Sequence, residues 1–183
     1  CSFTSIFTGS GLPDANSANL PVPVAICNVV HFIYDDGSNI INHSAYDVYQ
    51  NSWVLADQVA DAGSVLDQFF SVTTDGRNLY LLYQESSDVY IVRTCTTTGG
   101  TPCMSNVAGA WSTLTSPYGS GLVNSQWPTI TYRPLSNALT ACVIRGPAST
   151  SQDVACRTTN ASNISWGSQS AAGFQYANLG NLS

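Results

Sequence analysis

Apolar and polar residues alternate along this chain in short runs, and turn-forming residues break the runs at roughly ten-residue intervals. The first set reads VVHFIYDD (29–36), SNIINHSAYD (38–47) and SWVLADQV (52–59), with Asp36-Gly37 between the first two as a two-residue hairpin signal. The second reads FFSVTTDG (69–76), RNLYLLYQES (77–86), DVYIVRTCTT (88–97) and AWSTLTS (110–116). The third reads WPTITYRP (127–134), NALTACVIRG (137–146), DVACRTT (153–159) and ISWGSQS (164–170). A period of two over short runs predicts strands. The longest helix-like stretch, VLADQVADAGSVLDQFF, is interrupted by Gly63. The pattern therefore predicts an all-β chain.

The three sets align on Trp53, Trp111 and Trp166, each expected to open the last strand of its set. Four-stranded units recurring at this length predict three propeller-like blades in one domain, at about 28–60, 69–116 and 127–170. A β-sandwich or jelly roll is the alternative. Residues 1–27 are expected to form an extended arm ahead of the 28–183 β domain. Within that arm Pro21 and Pro23 remove amide donors along one side of LPVPVAI, which suits a sheet edge or a position outside any sheet. The final GFQYANLGNLS reads as a further strand or a tail.

Register can be argued in the third set. If Gly146 faces Gln152, then Cys142 faces Cys156 and Arg145 faces Asp153, so one alignment yields a disulfide and an opposite-charge pair. The six cysteines are even in number and include no CxxC pair, which predicts three disulfides; of the fifteen possible pairings, nearness in sequence suggests Cys1–Cys27, Cys95–Cys103 and Cys142–Cys156. Acylation of Cys1 would leave an odd number. Four sequons, at Asn42, Asn160, Asn163 and Asn181, agree with an extracellular or cell-surface location. No signal-peptide pattern opens the chain, which reads as a processed form.

Composition narrows the partners. Only 9% of residues are charged, Lys is absent, and the net charge is −6, which argues against nucleic acid and against an anionic membrane surface. No apolar run is long enough for a spanning helix, so membrane insertion is not expected.

The segment Thr158-Thr-Asn160-Ala-Ser-Asn-Ile-Ser165-Trp166 resembles an Asp-box, Ser-x-Asp-x-Gly-x-Thr-Trp, one residue longer. The third set thus resembles the blades of sialidase-type propellers, and HFIYDDGSNIINHSAYDVYQNSW is similar in outline to blades of small fucose-binding propeller lectins. The resemblance implies a propeller fold. Sialidase chemistry, with an Arg triad, a Tyr nucleophile assisted by Glu and an Asp acid/base, is not expected. The chain has five Arg and one Glu (Glu85), and no Arg-Ile-Pro entry motif.

Other candidate chemistry is sparse. Asp35-Asp36 is a carboxylate pair in a position that suits a turn. His31 and His43 should lie near one another on the first hairpin, without a third metal ligand at clear spacing. Asp57, Asp61 and Asp67 read as a solvated acidic loop with some potential for Ca²⁺. Trp53, Trp111 and Trp166 are candidates for sugar stacking, with packing in the blade core the favoured role. No catalytic residue, cofactor or metal is expected. The leading expectation is a non-enzymatic structural protein whose partner is itself, as an oligomer or filament joined through sheet edges. A secreted glycan-binding lectin is the alternative.

Overall fold

The computed structural model describes residues 21–35, 40–61, 70–86, 89–96, 111–118, 126–145, 151–168 and 170–177. Among these residues twelve strands form three antiparallel sheets of four, each a meander in chain order. The first sheet holds β1 (Val22–Ile26), β2 (Val29–Asp35), β3 (Ile41–Asp47) and β4 (Ser52–Asp61). The second holds β5 (Phe70–Thr74), β6 (Asn78–Ser86), β7 (Val89–Thr96) and β8 (Trp111–Leu114). The third holds β9 (Gln126–Arg133), β10 (Ala138–Arg145), β11 (Ser151–Asn160) and β12 (Ser170–Ala177). The all-β expectation and its division into three four-stranded sheets hold.

The sheets stack face to face like neighbouring blades. β1 lies against β5, and β5 against β9, so the first strands of the three sheets run side by side. One core cluster joins the first two sheets through Ile33, Ile41, Leu79, Leu81 and Tyr83. A second joins the last two through Tyr80, Leu82, Ile130, Leu139 and Val143. The middle sheet is thus covered on both faces, which explains the unbroken apolar run NLYLLY in β6: odd positions pack toward the first sheet and even positions toward the third. Among the described residues β10 packs against the second core cluster on one face, and its burial alternates, with Leu139, Ala141 and Val143 inward and Thr140, Cys142 and Ile144 half-buried.

Two expectations are corrected, and the sheet-edge placement of the Pro23 segment holds. The fourth strand of the third sheet is Ser170–Ala177, not ISWGSQS, and Trp166 lies before it in an irregular segment. Asp35 pairs with Ile41, so five residues separate the strands of the first hairpin and a two-residue Asp36-Gly37 turn does not set its register. Val22–Ile26 belongs to the first sheet as its edge strand, with Pro23 at that edge; residues 1–20 lie outside the described part.

The predicted alignment of the third set is observed, with Cys142 opposite Cys156 and Arg145 opposite Asp153. The Cys142–Cys156 disulfide is formed, at a Cα–Cα distance of 4.1 Å. Cys95 is also disulfide-bonded, and Cys103 lies outside the described residues. Cys27 lies exposed in the two-residue β1–β2 turn and is a free thiol among the described residues; its expected partner Cys1 lies outside them.

Candidate functional site

The groups with most chemical potential sit between the first two sheets. The five-residue offset of the β2–β3 hairpin puts His31 opposite Ala45 and His43 opposite Ile33, so both imidazoles fall on the face turned to the second sheet. His31 Nδ1 and His43 Nε2 are 2.8 Å apart, and both residues are wholly buried. From the second sheet, Trp111 Nε1 donates to His43 Nδ1 at 3.3 Å, and the indole edge meets the imidazole.

These contacts assign the protons. An indole N–H can only donate, so His43 Nδ1 accepts and its proton sits on Nε2. His43 Nε2–H then donates to His31 Nδ1, which places the His31 proton on Nε2. That outer N–H has no hydrogen-bond partner among the described residues. Burial lowers the His31 pKa to about 4. Burial, and next the neighbouring His31, lower that of His43 to about 3, against an opposing contribution from Gln58. Both rings are therefore neutral at pH 7. Two imidazoles bonded to each other and sealed from solvent present no open face to a substrate, and no cluster of three or more metal-ligating side chains occurs among the described residues.

The acidic residues are not a loop. Asp57 and Asp61 both lie in β4. Asp61 is buried and paired with Arg93 of the second sheet at 2.5 Å, and Arg93 also donates to the Tyr83 hydroxyl at 3.1 Å. Asp57 accepts from the hydroxyls of Tyr34 and Ser44. Asp67 is outside the described residues, so the expected Asp57–Asp67 solvated loop is replaced by two separate strand anchors. Asp35 is buried at the end of β2, and Asp36 is not described. Glu85 lies half-buried in β6.

The aligned tryptophans have three different surroundings. Trp111 is core. Trp166 is half-buried beside the second core cluster and donates to the Thr115 carbonyl at 2.7 Å. Trp53 is 41% exposed, packed edge-on against Tyr46 and near Phe32. Equal spacing in sequence has not produced three equal sites.

A recurring device was missed from the sequence. Each sheet has an Asn immediately before the first buried residue of its second strand: Asn28 before Val29, Asn78 before Leu79, Asn137 before Ala138. The Asn28 and Asn137 carbonyls accept from Val48 N and Ala161 N, each at 2.9 Å. Asn28 Nδ2 donates to Asp47 Oδ1 at 2.8 Å, while Asn137 Nδ2 donates to Ser162 Oγ at 2.7 Å. In the middle sheet Asn78 turns to Asp75 instead, at 2.7 Å, because the position matching Asp47 holds the disulfide-bonded Cys95. Hydrogen bonds hold Asp47 below the usual carboxylate range, chiefly that from the Gln50 amide. The shared signal, Asn followed by apolar strand residues, is short and common, so only the structure reveals it.

No protein-family model matches the chain, and no curated protein sequence matches it.

Proposed function

We propose that this chain is a non-enzymatic extracellular structural protein that assembles with copies of itself through sheet edges. The observation that carries the reading is β12. Among the described residues it is the outer strand of the third sheet, and its sequence, SAAGFQYA, contains no charge and no proline, although its pairing with β11 shifts register once, between Ala172 and Tyr176. A free strand edge is a template for another strand, and proteins that stay monomeric guard such edges with charges, prolines or bulges. The opposite end of the stack is guarded: β1 carries Pro23, and β4 is repeatedly bulged and contains Asp57 and Asp61. The two ends differ, so a head-to-tail contact is heterologous and yields a ring or a filament according to its rotation. The Cys142–Cys156 staple and the low charge suit a durable surface unit.

Light scattering with negative-stain microscopy of the purified protein tests this. Assemblies should form, and Ala172→Lys, which puts a charge on the open edge, should shift them toward monomer. A monomer at all concentrations would sink the reading.

Trp53 favours a second reading, glycan binding, since it is 41% exposed at the start of β4 and Tyr49, in the turn before that strand, is 89% exposed. A glycan array bound by the protein and lost in Trp53→Ala would support it.

A further inference from the structure

We propose that Asn163 is the acceptor of an N-linked glycan and that the sequon at Asn42 stays unmodified. The inference rests on the reading above that the chain passes through a secretory compartment. A glycan must be accommodated by the folded chain, so the fold itself sorts the sequons. Asn42 lies in β3, an inner strand, paired with Tyr34 on one side and Val59 on the other, and is buried at 8% exposure. A sugar there would have to displace the sheet's neighbours. Asn181 is outside the described residues.

The remaining two sequons share the turn that follows β11, and their carboxamides are not equivalent. Asn160 is built into the turn: its Oδ1 accepts from Ser162 N at 2.8 Å and from Asn137 Nδ2 at 3.4 Å. The hydroxyl of its own sequon, Ser162 Oγ, is taken by Asn137 Nδ2. Asn163 is different. The backbone closes behind it through Asn163 N to Asn160 O at 3.2 Å, while its exposed carboxamide makes no hydrogen bond to any described residue. Its sequon hydroxyl belongs to Ser165, also exposed, which is held only through its backbone N by Thr159 Oγ1 at 2.7 Å. Both groups that a sequon requires are thus free at Asn163 and engaged at Asn160. With acceptors three residues apart in one turn, a glycan on the first obstructs the second.

The donor is a lipid-pyrophosphate-linked oligosaccharide, the co-substrate of the secretory glycosyltransferase. Asn163 Nδ2 forms a bond to the anomeric carbon, the bond from that carbon to phosphate oxygen breaks, Nδ2 releases one proton, and the lipid pyrophosphate leaves with the electron pair. No oxidation or reduction is involved. The sugar then projects from the β11–β12 turn.

The test is expression of the full chain behind a secretory leader in a eukaryotic host. Secreted and retained pools are digested with peptide-N-glycosidase in ¹⁸O-water, and peptide mass spectrometry locates the labelled Asp. Label is expected at position 163 and not at 42, and Ser165→Ala, which leaves the backbone bond intact, should abolish it. A bare Asn163, label at 42, or occupancy at 160 equal to that at 163 would overturn the inference. Assembly with a bare Asn163 removes only the glycan; a monomer glycosylated at Asn163 removes only the assembly reading.

Discussion

The indole N–H of Trp111 is aimed at Nδ1 of His43, 3.3 Å away across the boundary between the first and second sheets. Because the indole cannot accept, this one contact orders the protons of both imidazoles behind it, while burial keeps the rings neutral. Folding thus joins the two sheets through a directional polar chain that, with the Arg93–Asp61 pair, crosses the apolar layer between them.

Neutral buried histidines make stability depend on pH. Both folded pKa values, about 4 for His31 and about 3 for His43, lie below the unfolded value of 6.5. Between those limits the unfolded chain binds more protons than the folded one, so stability is full above about pH 6.5 and is lost as pH falls toward 4. The slope is up to about 1.4 kcal/mol per pH unit for each histidine. Urea midpoints between pH 8 and pH 4 should fall accordingly, and His31→Gln/His43→Gln should flatten the dependence. An unchanged slope in the double variant would refute the neutral pair.

Replacing Trp111 removes both a large core side chain and the donor to His43. Trp111→Ala should cost about 3–5 kcal/mol in chemical denaturation. Trp111→Phe should keep most of the packing but lose the hydrogen bond, for about 1 kcal/mol, and should alter the His43 ring resonances in NMR.

Asp61 is buried, and Arg93 is the cation paired with it. Arg93→Ala should destabilise by about 3 kcal/mol, because it removes the countercharge of a buried carboxylate. Restoring stability by adding Asp61→Asn to that variant would show that the uncompensated charge, and not lost packing, is the cause.

The Cys142–Cys156 bridge closes a sequence separation of 14 residues. Cys142→Ala/Cys156→Ala should lower stability by about 3 kcal/mol on loop-closure grounds, read as a lower thermal midpoint. The β10–β11 pairing itself should survive, since Thr140 faces Thr158 and Val143 faces Ala155 in the same ladder.

What could be read from sequence followed how tightly each register was constrained. β10–β11 was legible because a cysteine pair and a charge pair both demanded one alignment, and the structure has it. β2–β3 was not. Asp36-Gly37 is a strong turn signal, but the register it implies is three residues off, and an odd slip turns His43 to the other face. The His31–His43–Trp111 chain was therefore beyond sequence reasoning, although the nearness of the histidines was not. GFQYANLGNLS reads as a further strand and its first five residues do lie in β12, but SAAGFQYA is weakly apolar and contains Gly173, whereas the Trp in ISWGSQS mimics the strand starts at Trp53 and Trp111. Pro23 marked an edge correctly, since a missing amide donor is a local fact that packing does not override.

The central claim is assembly through the open edge at β12, and the most direct measurement is sedimentation velocity of the purified chain over a hundredfold concentration range, beside Ala172→Lys. The account predicts concentration-dependent species larger than monomer for the native chain and a shift to monomer for the variant at unchanged thermal stability. A native chain that sediments as a single monomer throughout, or a variant that assembles equally well, would contradict it.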